Sequence, residues 1–334
     1  MSIKLKKLYF HILFFTILCL FNMFAHELLG RELVKIRFAT DWRAQAEQGG
    51  FYHALALGLY EERGLDVRII QGNASTNIPR LLGAGEIEFG MGSNSFIPLN
   101  MIANNIPAKS VMASFQKDPQ IIMTHQSSTL SKLEDMKDKP IMISEASIGA
   151  FWVWLKSKYS FSDKQIRRKT FSLAPFIVNE DAIQQGYLTS EPYLVKKELG
   201  KVPKIYLLSD YGYPSYGAMI LARNDIIENN PEIVKAFVEA SIIGWKKYIY
   251  ESPDAGNRLI LNENSEMSEE ILFQAIDKIK SYNLISNRTD YSDIGLMTEE
   301  KWNEFYIIMS NNGVYKKDLN WKDSFTLKFI DESK

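Results

Sequence analysis

VKIRFATDWRAQAEQGGFYHALALGLYEERGLDVRIIQG, residues 34–72, decides the fold. Residues 34–40, VKIRFAT, alternate in polarity as a half-buried strand does. Asp41 and Trp42 follow at once. Gly49 and Gly50 then open FYHALALGLYEERG, which reads as a helix stopped by Gly64. LDVRIIQG reads as the next strand. A strand, a crossover helix and another strand make a parallel βαβ unit.

The pattern extends downstream. Ile78–Gly83 reads as a short helix, and Ile87–Met91 as a strand running into the turn Gly92-Ser93-Asn94-Ser95. A helix from about Phe96 to Asn104 and the strand SVMASF follow. After Pro119 the alternation restarts with the strand IIMTH, a short helix at Thr129–Met136 and the strand PIMIS. The spacing then predicts helices over Ser147–Tyr159 and Asp181–Tyr187 and a strand at KIYLLSD. YGAMILAR is a further strand, and from Pro231 the chain reads as mostly helical, over Glu232–Tyr250, Ser268–Tyr282 and Thr298–Asn311. No internal repeat or low-complexity tract interrupts it.

A chain of 334 residues is too long for one typical core and suits two lobes. A formal net charge of -1 argues against a nucleic-acid partner, which selects for a basic surplus. Lys4, Lys6 and Lys7 precede an apolar run at 8–21, and Ala25 follows Met23 and Phe24, so residues 1–25 read as a signal peptide that directs export to the periplasm. The run is short for a membrane span of about 20 residues, although a retained anchor is the competing reading. Cys19, the single cysteine, lies inside this segment behind Leu18, where a lipidation site wants a small residue. The chain beyond it then holds no disulfide, no cysteine nucleophile and no cysteine metal ligand. The histidines show no HxxxH or HxH spacing, and GxGxxG, Walker and GxSxG motifs are missing.

Asp41-Trp42, Gly50-Phe51-Tyr52 with Ala54, GLYEERGLDV at 58–67, LLGAGEIEFGMGSNS at 81–95 and LSKLEDMKDKPIMI at 130–143 resemble the alkanesulfonate-binding and thiamine-pyrimidine-synthase-like superfamily of binding proteins. The resemblance covers about residues 34–250. It implies an α/β, two-lobed type II periplasmic-binding-protein fold, each lobe a mainly parallel sheet flanked by helices, with a two-strand hinge. Residues 34–117 and 212–334 would form lobe one and residues 118–211 lobe two. The resemblance further implies a periplasmic solute-binding component of an ABC importer. Its partners would be a small organic ligand and the permease and ATPase subunits, and the protein itself a monomer without cofactor or metal. The synthase branch of the superfamily offers an enzymatic alternative that uses pyridoxal phosphate and a histidine. That branch carries a cysteine-rich run where this chain has YGYPSYGAMI at 211–220.

Ligands of open α/β sheets sit at strand C-termini and helix N-termini. On that ground Asp41 and Trp42 are ligand-wall candidates, the carboxylate for an amine or ring N–H and the indole for stacking. A buried core Trp and a capping Asp are the competing readings. Phe51 starts the first helix. Gly92, Ser93, Asn94 and Ser95 form a polar turn that would present hydroxyls and N–H groups, or simply cap the next helix. Ser144 and Ser147 open the aromatic helix of lobe two, from which Trp152 is a candidate, although Phe151, Trp152 and Trp154 cannot all face one way. The resemblance adds Glu191, otherwise a solvated loop charge, and Tyr216 completes the set. The aromatic and mixed polar character favours a flat heterocycle over a bare anion, which would want cations or N–H donors; the resemblance implies a thiamine-related pyrimidine. His53 reads as a partly exposed helix residue.

Overall fold

The computed structural model describes residues 32–330, apart from 74 and 171. The signal-peptide reading of residues 1–25 lies outside them.

Among the described residues, ten strands form two five-stranded mixed sheets. The first contains β1 (Val34–Ala39), β2 (Leu65–Ile70), β3 (Phe89–Asn94), β4 (Ala108–Phe115) and β10 (Gly217–Arg223), in the order β2-β1-β3-β10-β4. The second contains β5 (Gln120–Thr124), β6 (Ile141–Ile143), β7 (Ile166–Arg168), β8 (Ile183–Tyr187) and β9 (Lys204–Leu207), in the order β7-β6-β8-β5-β9. β1 pairs parallel with β2 and β3, whereas β10 runs antiparallel to β3 and β4. β6 pairs parallel with β7 and β8, whereas β5 runs antiparallel to β8 and β9.

The reversed strand of each sheet is the one that enters it from the other lobe. The chain leaves β4 at Phe115 and enters β5 at Gln120; it leaves β9 at Leu207 and enters β10 at Gly217. A strand that starts at the crossing must run away from it, so the co-directional strands of both sheets end there. The C-terminal edges of the two sheets therefore face one cleft, the position where α/β folds hold ligands.

Lobe one is held by an aromatic core. Phe38 meets Phe51 at 4.9 Å between ring centroids, and Phe89 stacks on Phe237 at 4.3 Å. The Gly49–Ala56 and Pro231–Tyr250 helices pack without side-chain spacers where they cross: a Cβ on Gly50 would lie 2.2 Å from the Trp245 ring, and one on Gly244 2.4 Å from the Gly50 carbonyl. Nothing larger than glycine fits that contact unless the helices separate.

Several elements differ from the sequence expectation. The first helix ends at Ala56 instead of running to Gly64, with a separate helical turn at Glu61–Arg63. β3 continues through Gly92, Ser93 and Asn94, which were expected as a turn. Residues 183–187 form the central strand of the second sheet, not a helix. Ile183 through Gly186 are buried, so this strand has no polar face to display period two. The expected helix over Ser147–Tyr159 is two helices, Glu145–Ile148 and Phe151–Tyr159, separated at Gly149. A further helix, Asp254–Glu263, packs on the first helix of lobe one. There Gly256 N–H donates to His53 Nδ1 at 3.1 Å, and His53 is buried under this helix, not partly exposed as expected.

The crossings are tied to each other and to the C-terminal helices. Lys117 Nζ lies 3.4 Å from Asp210. Buried Ser95 donates its N–H to Ser215 at 3.3 Å and accepts the Tyr216 N–H at 3.0 Å. Lys301, from the Glu299–Asn311 helix, donates to the Gln116 carbonyl and stands 4.2 Å from the Tyr216 ring centroid. Asp118 is buried beside them and accepts the Gln120 N–H at 3.0 Å.

Candidate functional site: an acidic cleft between the sheets

β1 ends at Ala39, and Thr40 Oγ1 donates to the Trp42 carbonyl at 2.7 Å, folding the next residues back over the sheet edge. Gly72 N–H also donates to that carbonyl at 3.0 Å. A Cβ on Gly72 would sit 2.3 Å from the Thr40 carbonyl, so glycine there permits the close approach. This places Asp41 and Trp42, both half-buried, at the C-terminal edge of lobe one. Ser93, at the end of neighbouring β3, donates to Asp41 Oδ2 at 2.5 Å. Asp41 Oδ1 is buried with no hydrogen-bond partner among the described residues. Burial raises the Asp41 pKa above the ordinary carboxylate value, and the Ser93 hydroxyl offsets part of that.

Glu47 follows in the turn before the first helix and is buried. Burial raises its pKa; the Thr189 hydroxyl opposes the shift, while the neighbouring charges of Asp41 and Glu191 add to it. Thr189 belongs to lobe two, just past the end of β8. Two residues on, Glu191 opens a helix, accepts the Tyr187 N–H at 2.8 Å and pairs with Lys169 at 2.6 Å. Tyr187 stands among these acids: burial first, then Asp118, Glu47, Asp41 and Glu191, push its phenol well above the usual range.

Ser144 and Ser147 are joined at 2.9 Å and organised by Gln185. Gln185 accepts the Ser144 N–H at 2.9 Å and donates to the Ser147 hydroxyl at 2.8 Å. Gln185 and Tyr187 share a face of β8, two residues apart. The serine turn is therefore next to the acidic group along the same sheet edge.

The structure thus brings Asp41, Trp42, Ser93, Asn94, Ser144, Ser147 and Glu191 to the strand ends, and places five other candidates inside their lobes or engages them with neighbouring residues. Phe51 is fully buried between Phe38 and Trp245. Trp152 is fully buried in lobe two, its indole N–H donating to Asp163 at 2.9 Å. Tyr216 is buried against Trp302, and its hydroxyl accepts the Thr298 N–H at 2.9 Å. Gly92 lies inside β3 facing Leu221, and Ser95 has both backbone and hydroxyl engaged by the second crossing. For Phe51 and Trp152, an apolar side chain near a helix start reads alike for core and cleft, and core packing prevails.

Glu47, Lys169, Gln185, Tyr187 and Thr189 were missed. The mistaken helix over 181–187 hid the β8 residues. Lys169 carries no local signal, since only strand pairing places the end of β7 near Glu191. Glu47 carried one, an acid eight residues past the end of β1. Among the described residues, no three His, Cys, Asp or Glu side chains are grouped to hold a metal ion.

A family model described as NMT1/THI5 like matches residues 45–256. The formylaminopyrimidine-binding protein of Halalkalibacterium halodurans is 24% identical over 309 residues, covering 88% of this chain and 90% of that protein. A 4-amino-5-hydroxymethyl-2-methylpyrimidine phosphate synthase of Saccharomyces cerevisiae is 24% identical over 256 residues, covering 67% of this chain and 73% of the yeast protein. Among solved structures, the periplasmic aliphatic sulphonate binding protein SsuA of Escherichia coli superposes with a TM-score of 0.64 at 13% identity, covering 87% of this chain and 97% of SsuA. The two-lobed fold is that of periplasmic binding proteins, shared with SsuA, and in sequence the chain is similar to a formylaminopyrimidine-binding protein. With the family match spanning more than half of the chain and two mixed sheets facing one cleft, this protein belongs to the NMT1/THI5-like family.

Proposed function

We propose that this protein is the exported, solute-binding component of an ABC importer, and that it captures an N–H-rich heterocycle, a thiamine-related pyrimidine, between its lobes. The observation that carries this reading is the Asp41 carboxylate. One oxygen is held by Ser93 and the other is buried without a partner, with Glu47 and Glu191 close by. Such an edge accepts hydrogen bonds from an exocyclic amine or a ring N–H and repels an anion. A sulfonate or nitrate would need the opposite arrangement, and Lys169, the cation at Glu191, is already paired with it. The similarity to a formylaminopyrimidine-binding protein supports the same ligand chemistry. Trp42, at the end of β1, is the stacking wall. Closure of the lobes over the ligand gives the permease and ATPase a loaded form to recognise.

The synthase reading draws on the yeast relative and would consume a histidine. Of the two described histidines, His53 accepts the Gly256 N–H and His125 donates to the Phe176 carbonyl at 2.7 Å, so both rings are engaged by backbone. The binding reading accounts for the site without a reaction.

Calorimetric titration with 4-amino-5-hydroxymethyl-2-methylpyrimidine, an alkanesulfonate and nitrate tests the ligand class. Binding of the pyrimidine alone is expected; binding of an anion in its place overturns it. Cell fractionation with N-terminal sequencing tests export: a mature start near His26 in the periplasm is expected, and soluble cytoplasmic protein beginning at Met1 refutes it.

A further inference from the structure

Thr189 is bonded to lobe one through both its hydroxyl and its carbonyl. The hydroxyl donates to Glu47 Oε1, 142 residues away in sequence. Its carbonyl accepts from Gln274 Nε2 at 2.6 Å, 85 residues away, on the Glu269–Ser281 helix. Thr189 and Glu47 are both buried, at 2% and 7% exposure. By contrast, the Lys117–Asp210 and Ser95–Ser215 pairs involve the crossings themselves, where a rotation of the lobes displaces atoms least.

We infer that Thr189 is the point at which lobe two latches onto lobe one, with Glu47 and Gln274 as positioning residues. Two bonds to one residue fix orientation as well as distance. The segment they orient, Tyr187–Glu191, carries Glu191, which accepts the Tyr187 N–H and pairs with Lys169, and the Tyr187 phenol, which lies within reach of the Asp118, Glu47 and Asp41 charges. A hydrogen bond to a buried carboxylate is among the stronger ones, and losing its donor leaves the carboxylate unsatisfied. The latch therefore holds the closed arrangement and slows ligand escape. The inference rests on the cleft reading above for its role in binding, but the latch itself is testable without ligand.

The test compares wild type with Thr189→Val, which keeps shape and loses the donor, Thr189→Ser, which keeps the donor, and Gln274→Ala. Small-angle scattering of the ligand-free proteins should give a larger radius of gyration for Thr189→Val and Gln274→Ala and the wild-type value for Thr189→Ser. Stopped-flow release of 4-amino-5-hydroxymethyl-2-methylpyrimidine should be about tenfold faster in the first two. Gln274 is a half-exposed helix position, so Gln274→Ala carries the test if Thr189→Val does not fold. Folded variants with the wild-type radius overturn the latch. A wild type that ignores the pyrimidine while the radii still differ retires the ligand class and supports the latch.

Discussion

Ser93 Oγ donates to Asp41 Oδ2 at 2.5 Å, joining the ends of two neighbouring strands, β3 and β1. The bond occupies one carboxylate oxygen and fixes the other, Oδ1, where it is buried and unpartnered. Asp41→Asn keeps the shape and replaces a charged acceptor with an amide. Hydrogen bonds to charged groups contribute about 1.5–3 kcal/mol. The substitution is expected to weaken pyrimidine binding at least about tenfold by calorimetry, with Ser93→Ala weakening it less. Equal affinity in wild type and Asp41→Asn removes this carboxylate from the site.

Two tryptophans separate site from core. Trp42 is half-buried at a strand end, while Trp152 is enclosed in lobe two. Trp42→Ala should lower ligand affinity at least about tenfold, since stacking adds about 0.5–1.5 kcal/mol beyond area burial. Its ligand-free melting temperature should fall less than that of Trp152→Ala. Trp152→Ala should cost about 3–5 kcal/mol of stability, yet leave affinity unchanged wherever the protein is folded. Chemical denaturation and titration of both variants check the pair; the opposite pattern would interchange their roles.

His53 makes stability depend on mild acid. Its ring is buried against Tyr248 and accepts the Gly256 N–H, an arrangement that needs neutral imidazole. Burial lowers its pKa below 6.5, and Lys247 adds to the effect. The unfolded state then binds the proton more readily, so this contribution is complete above about pH 6.5 and is lost as pH falls through the folded value. Melting temperature should fall from pH 7 to pH 5, and His53→Gln, which cannot titrate, should fall less. Parallel curves for the two proteins would exclude His53 as the source.

Asp118 acts with the opposite sign. Burial in the first crossing raises its pKa to about 7, against the opposing effects of the Gln120 N–H, the Ser215 hydroxyl and Lys301. The folded state therefore holds this proton more tightly than the unfolded chain does. Its stability contribution is full below about pH 4 and is lost as pH rises through about 7. Lys301, pushed down to about 8 by burial, remains its cationic neighbour over that range. Asp118→Asn should flatten the fall in stability between pH 4 and 7, measured by urea denaturation at each pH. An unchanged slope means that another group sets it.

The sequence by itself determined that two α/β halves would form. VKIRFAT, LDVRIIQG and the apolar run between them carry periodicities that only a strand, a helix and a parallel strand satisfy. It also determined that Asp41 and Trp42 would stand at a strand end, because they follow β1 without a spacer. Only the tertiary structure decided which aromatics are core. Phe51 and Trp152 have the same local signature as a ligand wall, but Phe38, Trp245 and Asp163 claim them from elsewhere in the chain. It likewise decided that residues 183–187 are a strand, since a fully buried central strand has no alternation to read. The acidic group of Asp41, Glu47 and Glu191 is tertiary in the same sense. Its members are separated by up to 150 residues of sequence, and they meet because two reversed strands, β5 and β10, turn the C-terminal edges of both sheets toward one cleft.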